Sequence, residues 1–188
     1  EKERVKKELN PYSDKIKYDL NKKHSKVEGM LVHSIYSIIT KTLSDSLDIY
    51  FLTPNCFGDK IKYNDFGYPE IVIQKAIRLM DAKYFMKIDA SIENSKFDEK
   101  GKKISEGLFL PVVNISIEIY NKFGFDPIQT GEGQAVASSP VVMSTTYIAG
   151  LNFVDGSIKP LSKEETLKNL IERCSQNVVY SIKYRKLK

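Results

Sequence analysis

Histidine and cysteine are scarce in this chain, with two of each among 188 residues. Cys56 and Cys174 stand apart, without a CxxC pair or a Cys/His cluster, which excludes a zinc module and a disulfide-stapled framework. Glycine (10) and proline (7) are too few for a low-complexity or collagen-like chain, and no block recurs at periods of about 20 to 50 residues. No apolar run approaches the roughly 18 to 20 residues needed to cross a bilayer. What remains is the composition of a globular chain, 41% apolar and 28% charged. A chain of this length buries roughly 70% of the surface it exposes when unfolded, so its core needs neither metal nor staple, and no cofactor is expected.

The net charge of +5 is unevenly placed. Residues 1–26 hold nine Lys/Arg against five Asp/Glu, net +4, and residues 183–188 hold four basic residues and no acid, another +4, which leaves −3 for the stretch between. A nucleic-acid binder needs a basic stripe with interleaved aromatics on a folded face, whereas here the basic character belongs to the ends, so nucleic acid is not the expected partner. Basic ends also suit an anionic membrane surface. Lys outnumbers Arg 25 to 4 and Ile is abundant, as in chains from AT-rich bacterial genomes.

The pattern along the chain predicts a charged arm or linker over residues 1–24, one α+β domain over 25–184, and a basic tail over 185–188. Ser25-Lys26-Val27-Glu28 has capping-box spacing, and Val27, Met30, Leu31, Ile35, Ile38, Ile39 and Leu43 form one helical face, so a helix is expected to run to about Leu47. Asp48–Leu52 reads as a short strand, residues 55–68 as an irregular loop, and Pro69 as the first turn of a second helix reaching Met80.

Residues 82–93 alternate cleanly, with Tyr84, Met86, Ile88, Ala90 and Ile92 on one face and Phe85, Lys87, Asp89, Ser91 and Glu93 on the other. Residues 112–121 do the same, with Val113, Ile115, Ile117 and Ile119 inward and Asn114, Ser116, Glu118 and Tyr120 outward. Joined by a charged loop, the two predict an antiparallel hairpin, and a turn at Asn121–Gly124, in which Gly124 supplies a positive φ, ends the second strand. Residues 125–160 are the least legible, with a further strand expected within 141–149 and a turn at 154–157. Ser162–Glu165 is a second capping box, and Leu167, Leu170, Ile171, Cys174, Val178 and Ile182 trace the apolar face of a closing helix. The expected fold is α+β, a mixed, mostly antiparallel sheet with helices packed on one face.

Residues capable of chemistry are few. His24 lies in the arm and His33 on the flank of the first helix, and neither has metal-ligand spacing. Gly131-Glu132-Gly133 begins like a dinucleotide fingerprint, but Val136 stands where the third glycine belongs. Cys56 and His33 could form a thiolate pair, against the simpler reading of a loop cysteine. Asp89, Glu93 and Glu118 could share the polar sheet face, with Lys87 making a cross-strand ion pair the simpler account. No catalytic, cofactor-binding or metal-ligating residue is assigned.

The order of the first helix (residues 27–47), the DIYFLTPN segment (48–55), the second helix, the step Asp81-Ala82-Lys83-Tyr84-Phe85-Met86-Lys87-Ile88 and the strand VNISIEIYNKFG (113–124) resembles the periplasmic domain of bacterial envelope lipoproteins of the curli-secretion-channel and penicillin-binding-protein-activator type. The resemblance covers residues 27–124, and the closing helix fits it. Met80 replaces the usual glycine before the alanine step, residues 121–124 are not a clear D-x-x-T-G, and no lipidation cysteine is present. The resemblance implies a non-catalytic accessory protein facing the periplasm or anchored by lipid at the outer membrane. Its partner would be another envelope protein or a second copy of itself, engaged through a sheet edge or residues 125–160. Since Glu1 is not a Met, any signal peptide or membrane anchor belongs to an upstream segment. A small hydrolase or transferase built on Cys56 or the strand acids, and a nucleic-acid-associated protein using its basic ends, are the rival expectations. A cytoplasmic location stays open.

Overall fold

The computed structural model describes residues 26–64, 67–97, 100–106, 108–140 and 166–184, and the side chains of the first helix from Val32 onward. The elements in order are α1 (Lys26–Leu47), a 3-10 helix (Pro54–Lys60), α2 (Ile73–Leu79), β1 (Tyr84–Asn94), β2 (Pro111–Asn121), β3 (Gln129–Val136) and α3 (Leu167–Tyr184). The architecture is α+β, with an antiparallel sheet in the order β1-β2-β3.

Alternation in β1 and β2 produces the predicted hairpin. Ile88 pairs with Ile117, and Tyr84 with Asn121 at one end and Asn94 with Pro111 at the other. The inner face of β2, Val113, Ile115 and Ile117, is buried in the main core with Leu167, Leu170, Ile171, Cys174 and Val178 of α3. Ile38, Ile39 and Leu43 of α1 belong to the same core. The Cys174 thiol donates to the Val113 carbonyl oxygen at 3.3 Å, and burial pushes its pKa up to about 11, consistent with a small apolar packing group.

The third strand lies at Gln129–Val136, within the stretch the sequence left least legible. Its inner positions are Gly131, Gly133 and Ala135, opposite Ile117, Ile115 and Val113, and Ala137 follows, also buried. This stripe of small residues lets α3 lie close on the strand. A Cβ at Gly133 would stand 2.8 Å from Val178 Cγ2 and 2.9 Å from the Val178 backbone nitrogen, and one at Gly131 would stand 3.2 Å from Val178 Cγ1. Polar groups tie the same contact: Asn177 Nδ2 donates to the Gln134 carbonyl at 2.8 Å, and the Glu132 amide donates to Ser181 Oγ at 3.2 Å. The Gly-x-Gly that resembles a phosphate loop is thus a packing device for a helix.

Several expectations are corrected. Asp48–Leu52 is not a strand. Asp48 turns the chain at φ +53°, and Ile49 and Phe51 pack into the core while Tyr50 and Leu52 face outward, with no neighbouring strand among the described residues. The alternation is real, but alternation alone supplies no hydrogen-bonding partner. Residues 54–60 form a 3-10 helix inside the expected loop. Pro69 does not open α2. It bridges Tyr63, flanked by hydrogen bonds from the Asn64 amide to Tyr68 and from the Glu70 amide to Lys62, a position that asks no donor of it. Gly124 has no positive φ; a Cβ there would instead sit 3.1 Å from Asn121 Oδ1. α3 opens at Leu167, where Thr166 Oγ1 accepts the Asn169 amide at 3.2 Å and serves as the cap. Ser25, the Ser162–Glu165 box, the strand within 141–149, the turn at 154–157, residues 1–24 with His24, and the tail 185–188 lie outside the described residues.

Helix α3 lies on β2 and β3 on one face of the sheet, and α1 packs against α3 in the same core. The other face is not uniformly wet, because Phe85 and Tyr120 are paired across β1 and β2 and are buried with Ala76 of α2. α2 and the 3-10 helix, through Ile73, Ile77 and Phe57, cap this corner. No described helix is long and apolar enough to cross a membrane.

Candidate interaction surface

Cys56 lies in the 3-10 helix, where its amide donates to the Thr53 carbonyl at 2.9 Å. Partial burial raises the thiol pKa above its ordinary value, against a smaller lowering by a backbone hydrogen bond, so the sulfur is a neutral thiol near pH 7. Burial lowers the pKa of His33, and its Nδ1 is buried with no hydrogen-bond partner among the described residues. No hydrogen bond joins the two side chains among the described residues, so the thiolate pair considered from sequence is not assembled. The surroundings of Cys56 are aromatic. Tyr36 of α1 packs on Tyr68 with ring centroids 5.0 Å apart, and burial, with Cys56 as the second cause, pushes the Tyr36 hydroxyl up to about 12. The Tyr63 and Tyr68 hydroxyls are also buried without a hydrogen-bond partner among the described residues. Neutral phenols and a neutral thiol thus pack Cys56, Tyr63 and Tyr68 around Tyr36 of α1.

The three strand acids do share the outer sheet face, but each has an ordinary partner there, Lys87 of its own strand for Asp89 and cross-strand groups for Glu93 and Glu118. Lys87 Nζ lies 2.7 Å from Asp89 Oδ2 and 3.7 Å from Glu118 Oε2. The Tyr120 hydroxyl donates to Glu118 Oε2 at 2.8 Å. Glu93 Oε1 accepts from Ser91 Oγ at 3.0 Å and from Asn114 Nδ2 at 3.2 Å, and Gln134 Nε2 donates to Asn114 Oδ1 at 2.8 Å. Solvent-exposed ladders of this kind contribute little individually and set register more than stability. No group of three or more His, Cys, Asp or Glu among the described residues could hold a metal ion.

The end of the molecule where β2 turns into β3 has a different character. Asn121 Oδ1 accepts the Phe123 amide at 2.9 Å, and the Ile128 amide returns to the Ile119 carbonyl at 2.7 Å, which closes the connection. Phe123 and Phe125 point out of it, 91% and 68% exposed. Tyr84 begins β1 beside Asn121, with Lys83 Nζ 5.2 Å from its ring centroid. An Asp81–Lys122 ion pair links the turn to the segment before β1, and the Lys122 ammonium holds the Asp81 carboxyl below the usual carboxylate range. α3 ends here too, because Gln129 Nε2 donates to the Ile182 carbonyl at 2.9 Å. Its Tyr180 and Tyr184 are exposed and pack with their rings tilted, centroids 4.7 Å apart. Together with Ile128, these residues concentrate exposed large apolar side chains at one end, a distribution that marks interaction surfaces.

The sequence alone puts Tyr84 on the strand face of Met86 and Ile88 and points to residues 125–160, which include Phe125 and Ile128 but not Phe123, Tyr180 or Tyr184. The available signal was Phe123-Gly124-Phe125, two aromatics in a turn where polar residues are usual. In comparisons with known proteins, the chain matches no protein-family model, no curated protein and no solved structure.

Proposed function

We propose that this chain is a non-catalytic binding or assembly module of a bacterial cell envelope, facing the periplasm. The observation that carries the binding role is the gathering of Tyr84, Phe123, Phe125, Ile128, Tyr180 and Tyr184 at the β2–β3 end, exposed around the connecting loop. Folding alone gives no reason to leave two phenylalanines in water, whereas a surface that is covered in use does. Cys56 and His33, the groups suited to nucleophilic chemistry, are both shifted toward their neutral forms by burial, which supports a binding role over a thiol-based one. The envelope assignment is supported by the order helix, helix, β-hairpin, closing helix, on which the resemblance to envelope lipoproteins rests, although the short strand at 48–52 is missing from it.

The envelope assignment is tested by fractionating cells that make the protein naturally and probing each fraction with an antibody. The protein is expected with the membrane or periplasmic fractions. Recovery wholly in the cytosol of intact spheroplasts would overturn the assignment.

A further inference from the structure

We infer that a second copy of this chain pairs with the open edge of β1, antiparallel and centred on Ile88, so that the sheets of the two copies become continuous. This edge is a different surface from the β2–β3 end, and the pairing does not depend on the role proposed for that end. In the sheet order β1-β2-β3, β2 is central, and among the described residues no strand lies along the outer edge of β1. The Ser95 amide donates to the Leu110 carbonyl at 2.9 Å across the β1–β2 pair, so by the alternation of an antiparallel ladder the odd-numbered residues of β1 turn their backbone groups toward β2. The even-numbered ones, Met86, Ile88, Ala90 and Ile92, turn theirs to the open edge. All 11 residues of β1 pair with β2 in unbroken register, with no proline and no bulge, two of the devices that keep a long edge strand from pairing. The core is also incomplete along this strand. Val113, Ile115 and Ile117 on the inner face of β2 are at most 2% exposed, whereas Met86, Ile88 and Ile92 on the inner face of β1 are only partly buried and Ala90 is exposed. α3 lies on β2 and β3, so the apolar margin along β1 stops short of full burial.

The side chains of β1 select both the occupant and the register. In a symmetric antiparallel pair, residues equidistant from the centre stand opposite each other on the same face. With the centre at Ile88, Lys87 stands opposite Asp89 of the other copy on the outer face, twice by symmetry. On the inner face Ile88 meets Ile88, Met86 meets Ala90 and Tyr84 meets Ile92, so every inner pair is apolar. A centre one residue away, at Lys87 or at Asp89, sets like charges directly opposite, which is destabilising. A centre at Ala90 sets Met86 against Asn94. A strand complementary to itself in both charge and hydropathy specifies a second copy. Antiparallel pairing also sets the two β2–β3 ends at opposite ends of the joined sheet, which leaves Phe123 and Phe125 free.

The test is sedimentation equilibrium of the full chain over a dilution series, in which the parent is expected to form a dimer. Lys87→Asp and Asp89→Lys, each alone, set like charges opposite across the pair and should dimerise roughly tenfold more weakly. Both side chains are more than half exposed, so neither change disturbs the core. Mixed in equal amounts, the two variants bring two carboxylates of one copy opposite two ammonium groups of the other, and a mixed dimer at least as strong as the parent's is expected. Phe123→Ser/Phe125→Ser should dimerise like the parent. A parent that stays monomeric throughout the series, single charge variants that dimerise as the parent does, or a mixture no stronger than either variant alone would each overturn the inference. Loss of the dimer in Phe123→Ser/Phe125→Ser would overturn it as well, since the second copy would then be the partner of the β2–β3 end, and the binding-module reading would stand.

Discussion

Gly133→Ala is expected to lower the melting temperature by roughly 5 to 10 °C, a large effect for one methyl group. The added Cβ would stand 2.8 Å from Val178 Cγ2 and 2.9 Å from the Val178 nitrogen, so part of what it meets is helix backbone, which cannot rotate away. Overpacking a tight core costs about 1 to 3 kcal/mol and more where backbone must shift, and in a domain of this size each kcal/mol is worth about 2 to 4 °C. Gly101→Ala is the informative control. Its backbone has φ +74° but a Cβ there meets nothing within 4 Å, so only the conformational cost of roughly 1 kcal/mol applies. Thermal unfolding followed by circular dichroism separates the two. Coincident melting of Gly133→Ala and the parent would mean that α3 does not rest on β3 as described.

Leu170→Ala should be the other severe change. Leu170 is 0% exposed and lies in the main core with Ile171 and Cys174 of its own helix and with β2. Truncating such a leucine costs about 2 to 5 kcal/mol, depending on how far the surroundings collapse into the space, out of the roughly 5 to 15 kcal/mol that holds a domain folded. Chemical denaturation should show a lower midpoint with an unchanged slope, while Lys183→Ala, exposed on the same helix, should move neither. Equal and negligible shifts in both variants would mean that the apolar face of α3 is not part of the core.

These two positions also show what could be read from the sequence. Leu170 was legible because large apolar residues at three- and four-residue spacing identify a buried helix face directly. The β1–β2 hairpin was legible for the equivalent reason, a period of two in large side chains. β3 was not, because its inner stripe of Gly131, Gly133 and Ala135 has the period of two in small residues, which are depleted in strands and carry no hydropathy signal. That stripe has meaning only with α3 lying on it, a contact between segments more than 30 residues apart. Asp48–Leu52 misled in the opposite sense, since its β-forming side chains alternate but no strand adjoins it among the described residues. The candidate surface was hidden in a similar way. Tyr84, Phe123 and Tyr184 are remote in sequence, and only the strand pairing and the Gln129–Ile182 hydrogen bond bring them to one end.

The proposed function has this protein work through its exposed β2–β3 end and not through its thiol or imidazole. Comparing cells that carry Phe123→Ser/Phe125→Ser with cells that carry Cys56→Ser or His33→Gln, each produced at the parent level and shown to be folded, tests that claim most directly. The account predicts that the phenylalanine variant reproduces the phenotype of deleting the gene while the other two behave as the parent. Loss of function in folded Cys56→Ser or His33→Gln, with the phenylalanine variant unaffected, would contradict it.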